Sequence, residues 1–132
     1  VAALEIAAIN RERLGIQNLA LRAGSWCAAL PAEPFDALVS NPPYIAPGHP
    51  ALQELAHEPQ SALTSGAEGY ADLFHIAAAA RTHLKPGGLL LLEHGSDQSR
   101  LLQQELVSLG YADIACHRDL AGLDRVTAAI WP

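Results

Sequence analysis

The sequence contains no methionine, few cysteines and few aromatic residues. It has 132 residues, begins at Val1, and carries Cys27 and Cys116 as its only cysteines. Two cysteines without a metal-binding pattern exclude a disulfide-rich scaffold and a zinc motif. The missing methionine and the start at Val1 suggest a segment of a longer translation product, and no secretory signal sequence is visible. We therefore expect a cytoplasmic protein.

Basic residues and long apolar runs are also scarce. Eight Lys and Arg against fourteen Asp and Glu give a formal charge of -6, which argues against a surface that neutralises phosphates, so nucleic acid is an unlikely partner. No apolar run approaches the ~20 residues that span a bilayer, so we expect no membrane association. The six histidines have no metal-ligand spacing, so no metal is expected.

The order of helical and strand-like segments predicts one α/β domain. Apolar residues at helical spacing predict helices over residues 1–14, 70–84 and 97–109. Short apolar runs predict strands over residues 16–22, 35–40, 89–93, 111–117 and 125–131. The runs at 35–40 and 89–93 are typical of strands buried on both faces. We expect a mainly parallel sheet with helices on both faces.

A long connection rich in proline and glycine follows the strand at 35–40 and extends to Gly69. Loops of this length are usually functional. In open α/β sheets, ligands bind beyond the carboxyl ends of the strands. The segment at that position is Asn41-Pro42-Pro43-Tyr44.

The tetrad Asn41-Pro42-Pro43-Tyr44 is chemically suited to hold a planar NH2 group. Both prolines fix φ, lack an N–H donor and restrict the residue before them to extended conformations. The Asn41 side chain and the backbone carbonyls are therefore rigid acceptors for two N–H hydrogens, and the Tyr44 ring can cover the flat face of the group. Such a site would present the nitrogen to an electrophile and stabilise its developing positive charge. The ligand is a primary amide or an aromatic amine, unless the prolines only end the strand and Tyr44 only packs.

The tetrad and the segments around it resemble a known family. With the preceding run Phe35-Asp36-Ala37-Leu38-Val39-Ser40, it resembles the NPPY motif of S-adenosylmethionine-dependent methyltransferases that modify planar nitrogen groups. Leu84-Lys85-Pro86-Gly87-Gly88 resembles a strand entrance common in that fold. Further segments are similar to the methyltransferases that modify the glutamine of peptide chain release factors, the HemK or PrmC family: Glu58-Pro59, Ala62-Leu63, Gly69, Leu92-Glu93-His94-Gly95 and Asp124-Arg125-Val126. The resemblance covers nearly the whole chain.

The resemblance implies a class I methyltransferase with a Rossmann-like sheet, S-adenosylmethionine as cofactor and peptide chain release factors as partners. By the family pattern, Asn41, Pro42, Pro43 and Tyr44 bind the substrate glutamine, and Asn41, Pro42 and Tyr44 are the catalytic residues. Asn41 also contacts the reactive end of the cofactor, and Trp26 lies against its adenine. Ser25 stands where many members have an acid.

The family pattern also contains segments that this sequence lacks. Members begin the catalytic domain with a strand, a glycine-rich turn and a second strand that ends in an acid. We therefore expect residues 1–132 to be the C-terminal portion of a catalytic domain without its first two strands, and to bind S-adenosylmethionine poorly in isolation. Two alternatives stay open: an adenine-specific DNA or RNA amino-methyltransferase, whose aromatic NH2 fits the tetrad equally well, and a non-catalytic fragment or binding module.

Other polar residues are expected to have structural roles. Glu93 and His94 stand at a strand end, and Glu58 is a candidate anchor of the long loop. Asp124-Arg125 is expected to form a turn or an ion pair that orders the last hairpin. The two cysteines are expected to be buried as small apolar side chains.

Overall fold

The chain divides into two compact units, Val1–Ala32 and Glu33–Pro132. The computed structural model describes residues 2–53, 55–66 and 69–132. Within these ranges, every helix is too short or too polar to serve as a membrane span.

The first unit begins with helix α1, Ala2–Arg13, as the sequence predicts, although Val1 lies outside the described residues. Gly15, two residues after the helix, closes it with a left-handed φ of +64°. The Gly15 N–H donates to the Glu12 carbonyl and the Ile16 N–H to the Arg11 carbonyl, both at 3.0 Å. This pair of bonds is the usual way in which a left-handed glycine closes a helix.

The predicted strand over residues 16–22 is wrong. These residues form an irregular loop, followed by a 3-10 turn at Trp26–Ala29. A strand requires a hydrogen-bonded neighbour, and the described residues supply none to this segment. Local alternation of apolar residues was therefore not sufficient to form a strand.

The second unit is built on a four-stranded sheet in the order β1-β2-β4-β3. Its strands are β1 (Phe35–Ser40), β2 (Leu84–Glu93), β3 (Ala112–Arg118) and β4 (Asp124–Trp131). The β1–β2 pair is parallel, whereas β4 is antiparallel to both β2 and β3. Strands β1, β2 and β3 thus run in one direction, as expected for a mainly parallel sheet, and β4 runs opposite to them, as the short β3–β4 connection requires.

Two helices pack on this sheet and contact each other: α2 (Ala71–Ala80) on β2, and α3 (Ser99–Ser108) on β3 and β4. Their apolar stripes are buried as the helical spacing predicts. The buried side chains include Leu73, Ile76, Ala77, Ala80, Leu90, Leu92, Leu102, Leu106 and Ala129. The buried hydroxyl of Tyr111, the residue before β3, donates to the Ala77 carbonyl of α2 at 2.9 Å.

Residues 84–88 belong to β2, whereas the sequence predicts that the helix extends to residue 84 and that the strand begins only at residue 89. Leu84 pairs with Phe35 of β1 and Gly88 with Trp131 of β4, so β2 begins five residues earlier than predicted. The helix correspondingly ends at Ala80.

The strand β1 is less buried than its apolar sequence predicts. It lies at the edge of the described sheet and pairs with β2 alone, and Val39 is 74% exposed. The expectation of a strand buried on both faces is therefore wrong for this chain. An apolar run requires neighbours on both sides to become buried, and β1 has one in the described residues.

Candidate active site

The tetrad Asn41–Tyr44 lies where the sequence predicts, directly after the carboxyl end of β1. In the parallel register, Ser40 at the end of β1 faces Leu92 near the end of β2. The end of β2 and the segment that follows it, His94 to Gln98, therefore emerge beside the tetrad. This is the edge at which open α/β sheets bind ligands.

The two prolines anchor the tetrad, and its outer residues are accessible. Pro42 and Pro43 are buried, Asn41 is exposed, and Tyr44 is partly buried. Because the prolines are packed and their φ angles are fixed, the exposed Asn41 is followed by a rigid backbone. The roles of Asn41, Pro42, Pro43 and Tyr44 in holding a planar NH2 group stay predictions.

The Tyr44 side chain is fixed by the last residue of β2. Its hydroxyl donates to Glu93 Oε1 at 3.0 Å. Burial raises the pKa of the Tyr44 phenol, the Glu93 carboxylate raises it further, and Arg125 acts in the opposite direction. Tyr44 is therefore neutral at physiological pH and donates its hydrogen to the carboxylate. Glu93, expected to be structural, contacts the predicted site directly.

Gln98 is the residue of this site that sequence reasoning missed. Its side chain is buried, and Nε2 donates to the Tyr44 carbonyl at 3.0 Å and the Gly69 carbonyl at 3.2 Å. Its Oε1 accepts the Gly95 N–H at 2.9 Å. One amide thus joins the tetrad, the end of the long loop and the segment after β2. In the sequence, Gln98 stands among polar residues just before α3, and nothing there distinguishes it from a solvent-exposed glutamine.

Gly69 allows the close approach that this arrangement requires. Its φ is +78°, and a Cβ placed there would lie 2.3 Å from the Tyr44 carbonyl oxygen and 2.9 Å from Gln98 Nε2. A side chain at this position would therefore displace the tetrad backbone.

Two cavities adjoin the tetrad and share Tyr44. The first, of about 250 Å³, is lined by the tetrad together with Ile45, Leu55, Glu58 and Leu63 among others. The second, of about 570 Å³, lies beside Tyr44, His49, Ser96, Asp97 and Arg125. The long loop therefore forms part of the site. Glu58, considered only as an anchor of that loop, lines the first cavity.

His94 has the structural role that the sequence predicts. It is fully buried, and its Nδ1 donates to the Gly95 carbonyl at 2.8 Å. Its Nε2 lies 2.8 Å from Thr127 Oγ1, whose hydroxyl donates to it in the neutral ring. Nε2 thus joins the residue after β2 to β4, and Nδ1 holds the turn at Gly95. Within the described ranges, no three His, Cys, Asp or Glu side chains are grouped so that they could hold a metal ion.

Asp124 and Arg125 order the last hairpin, but through partners other than each other. Asp124 pairs with Arg118 at 3.3 Å, and Arg125 pairs with Asp119 at 3.2 Å. Arg125 Nη1 also donates to the His94 carbonyl at 3.1 Å. The ion pairs therefore join the two strands of the hairpin across its tip, and Arg125 extends from there to the second cavity.

Trp26, the predicted adenine contact, belongs to the first unit. It begins the 3-10 turn Trp26–Ala29 with a φ of +48°, which is uncommon for a residue other than glycine. The next residue, Cys27, is buried as predicted, whereas Cys116 is only partly buried. The contact between Trp26 and a cofactor stays a prediction.

The chain is similar to several curated proteins named release factor glutamine methyltransferase. It is 43% identical to the protein from Shewanella oneidensis, over 98% of this chain and 46% of that protein. It is 44% identical to the Coxiella burnetii protein and 46% identical to one from Xylella fastidiosa, over 97% and 99% of this chain and 46% and 48% of those proteins. The chain spans about half the length of the curated relatives it matches. These identities confirm the resemblance inferred from the motifs.

The fold class is confirmed by a solved structure. A methyltransferase from Pyrococcus furiosus matches 97% of this chain and 57% of its own length, with a TM-score of 0.70 and 19% sequence identity. This likeness shows the fold alone. No protein-family model matches the chain.

Proposed function

We propose that the protein, as the cell makes it, transfers a methyl group from S-adenosylmethionine to the side-chain amide nitrogen of a glutamine in a peptide chain release factor. The observation that carries the proposal is the rigid tetrad Asn41–Tyr44 at the carboxyl end of β1. The names of the relatives, which this chain matches over about half of their length, support the same reaction. In this account, residues 1–132 are the C-terminal portion of the catalytic domain, and the reaction takes place in the cytoplasm.

The tetrad would bind and orient the glutamine amide. The Asn41 side-chain oxygen and a carbonyl of the Asn41-Pro42 segment would accept the two N–H hydrogens, and the Tyr44 ring would cover the face of the group. S-adenosylmethionine supplies the methyl group from a positively charged sulfur. An amide nitrogen is a weak nucleophile, so holding it in a near-attack position is the main contribution available to these residues. The two acceptors would also stabilise the positive charge that develops on nitrogen.

The contacts of Tyr44 support this role. Its hydroxyl is engaged by Glu93 and its carbonyl by Gln98, so the ring is held without using the acceptors of Asn41 and Pro42. A pocket wall fixed in this way loses little freedom when the substrate binds. The arrangement therefore favours a preorganised amide site over a strand end with a packed aromatic residue.

The residues present fit the reactive end of the cofactor better than its adenosine part. Asn41 is exposed at the first cavity, whose volume of about 250 Å³ lies below the roughly 300–1,000 Å³ of sites that enclose a ligand of this size. We propose that Asn41 contacts the methyl-bearing end, and that Trp26 contacts the adenine. The described residues around Asn41 do not enclose the whole molecule.

A transfer experiment tests the proposal. The protein as the cell makes it is incubated with labelled S-adenosylmethionine and with either a release factor or DNA. We expect label in the release factor and none when its target glutamine is replaced by alanine. Label in DNA alone would favour the adenine-modifying alternative, and label in neither would favour a binding module.

A further inference from the structure

The second cavity adjoins the predicted amide site at Tyr44, and the proposed function assigns it no role. Its volume of about 570 Å³ is more than twice that of the first cavity, at about 250 Å³. Because Tyr44 lines both, a chain whose glutamine side chain occupies the first cavity would extend into the second. The second cavity is therefore placed to take the residues next to that glutamine.

The lining of the second cavity suits a polypeptide backbone, which offers N–H donors and carbonyl acceptors in alternation. The Arg125 guanidinium has five N–H groups: Nε bonds Asp119, one on Nη1 bonds the His94 carbonyl, and Tyr44 is a further hydrogen-bonding neighbour. Arg125 can therefore also donate to a carbonyl in the cavity. Ser96 and Asp97 are exposed on the opposite segment and supply oxygen acceptors for N–H groups.

The tip of the β3–β4 hairpin, residues 119–123, lies at the same edge of the sheet. The register pairs Val126 of β4 with Glu93 at the end of β2, so the residues before β4 extend beyond that end. Arg125 bonds Asp119 in the tip and lines the second cavity. The tip is therefore continuous with the cavity.

The tip presents leucine side chains from an ordered backbone. Leu120 is 110% exposed, as in an extended peptide, and Leu123 is 49% exposed. The Asp119 carboxylate nevertheless accepts the N–H groups of Ala121 and Leu123 at 2.9 and 3.0 Å, and the Gly122 N–H donates to the Asp119 carbonyl at 2.9 Å. Covering the Leu120 side chain on binding would remove apolar surface from water, and the ordered turn would lose little freedom in doing so.

We propose that the second cavity and the hairpin tip bind the polypeptide that carries the target glutamine, with its backbone in the cavity and an apolar side chain of it against Leu120. This inference rests on the proposed function. It assigns recognition of the protein substrate to residues outside the tetrad.

Steady-state methylation of a release factor tests the inference, using the protein as the cell makes it. Leu120→Ser removes the apolar contact and is expected to raise KM for the release factor about tenfold while kcat stays within about twofold. Ser96→Trp fills the second cavity and is expected to raise KM by a similar or larger factor. The matched control is Val107→Ser, which replaces a 65% exposed residue on α3 that lines neither cavity and is expected to leave KM unchanged.

The outcomes separate this inference from the proposed function. If the unaltered protein methylates the release factor and Leu120→Ser or Ser96→Trp leaves KM unchanged, then the second cavity and the hairpin tip do not bind the polypeptide. The proposed reaction is unaffected by that result. An equal rise of KM in Leu120→Ser and Val107→Ser would also overturn it, because the effect would then not be specific to the tip. If the unaltered protein does not methylate the release factor, the proposed function fails and this inference fails with it.

Discussion

Asn41 and Tyr44 combine exposure with a fixed backbone, and this combination makes the tetrad a candidate binding element. Buried prolines stand between them, and Tyr44 is bonded through its hydroxyl to Glu93 and through its carbonyl to Gln98. In the proposed function each residue has a separable role: Asn41 contacts the reacting group, Tyr44 covers it, and Glu93 orients Tyr44. Single substitutions therefore give distinct expectations.

Replacing Asn41 by alanine tests the acceptor at the reacting nitrogen. In the protein as the cell makes it, we expect Asn41→Ala to lower kcat by roughly two orders of magnitude, by analogy with the loss of a hydrogen bond that stabilises charge in a transition state. Because Asn41 is exposed, the thermal midpoint should change little. Turnover within about twofold of the unaltered protein would show that Asn41 has no such role.

The Tyr44–Glu93 bond makes a pH-dependent contribution to stability. Burial raises the pKa of Tyr44 in the folded state above its usual value near 10. Since the folded pKa is raised, the contribution is fully present below the unfolded pKa and is lost as pH rises through the folded pKa. Urea unfolding of the chain at about pH 8 and about pH 11 should show a steeper loss of stability than in Tyr44→Phe. Equal losses in the two proteins would contradict the assignment.

At the scale of elements, the site is an assembly of three loops joined by one side chain. Gln98 lies just before α3 and bonds the backbone of Tyr44, Gly69 and Gly95. The hairpin tip is joined to the same edge through Arg125, which bonds Asp119 and the His94 carbonyl. The strands and helices bring these loops near each other, and long-range hydrogen bonds then hold the loops in position.

Removing the Gln98 amide should weaken the whole second unit. Gln98→Ala leaves the Tyr44 and Gly69 carbonyls and the Gly95 N–H without this partner, and we expect the free energy of unfolding to fall by about 3 kcal/mol. The matched control is Gln104→Ala, an exposed position on α3, where the change should stay within about 0.5 kcal/mol. Urea unfolding of both variants checks this. Similar small effects would mean that the three bonds add little to stability.

The Asp119 carboxylate is expected to hold the hairpin tip. Bonds from the Leu123 N–H and Arg125 keep its pKa below the usual value, so the contribution is present above the unfolded pKa and is lost as pH falls through the folded pKa. In Asp119→Ala, amide hydrogen exchange at Ala121 and Leu123 should quicken by about tenfold near neutral pH. The exchange of amides in α2 should be unaffected. Unchanged exchange at the tip would show that its order has another origin.

The periodicity of apolar residues predicted the helices and strands whose packing partners are close in the chain. It failed where a distant partner determines whether a segment becomes a strand. The helix at Ala2–Arg13 and the hairpin of β3 and β4 lie close to their predicted positions. The segment 16–22 alternates like a strand but has no neighbour to pair with among the described residues, while residues 84–88 became strand because Phe35 and Trp131 pair with them. For the site, the tetrad was visible because two prolines constrain it locally. Gln98 was not, because two of its three partners, Tyr44 and Gly69, lie in distant segments.

At the scale of the whole molecule, the chain matches about half of each curated relative. Its β1 pairs on one side only in the described sheet, and Val39 is 74% exposed. The cavity at Asn41 is small for a complete cofactor. In our proposals, the residues described here therefore bind the substrate amide and its flanking polypeptide, and they form only part of the cofactor site.

Because the described residues form only part of a cofactor site, we expect the 132-residue chain alone to bind S-adenosylmethionine weakly. Titration calorimetry should give a dissociation constant well above the micromolar range, because the described residues around Asn41 do not enclose the adenosine part. Asn41→Ala should then change the titration little. A micromolar constant for the unaltered chain would show that it holds a more complete cofactor site than we infer.

The most direct test of the central claim is fragmentation mass spectrometry of a release factor after incubation with S-adenosylmethionine and the protein as the cell makes it. We predict one added methyl group, located on the side-chain amide nitrogen of a single glutamine, and its absence when the protein carries Asn41→Ala. A methyl group on any other residue, or the same modification produced by Asn41→Ala at an undiminished rate, would contradict the account.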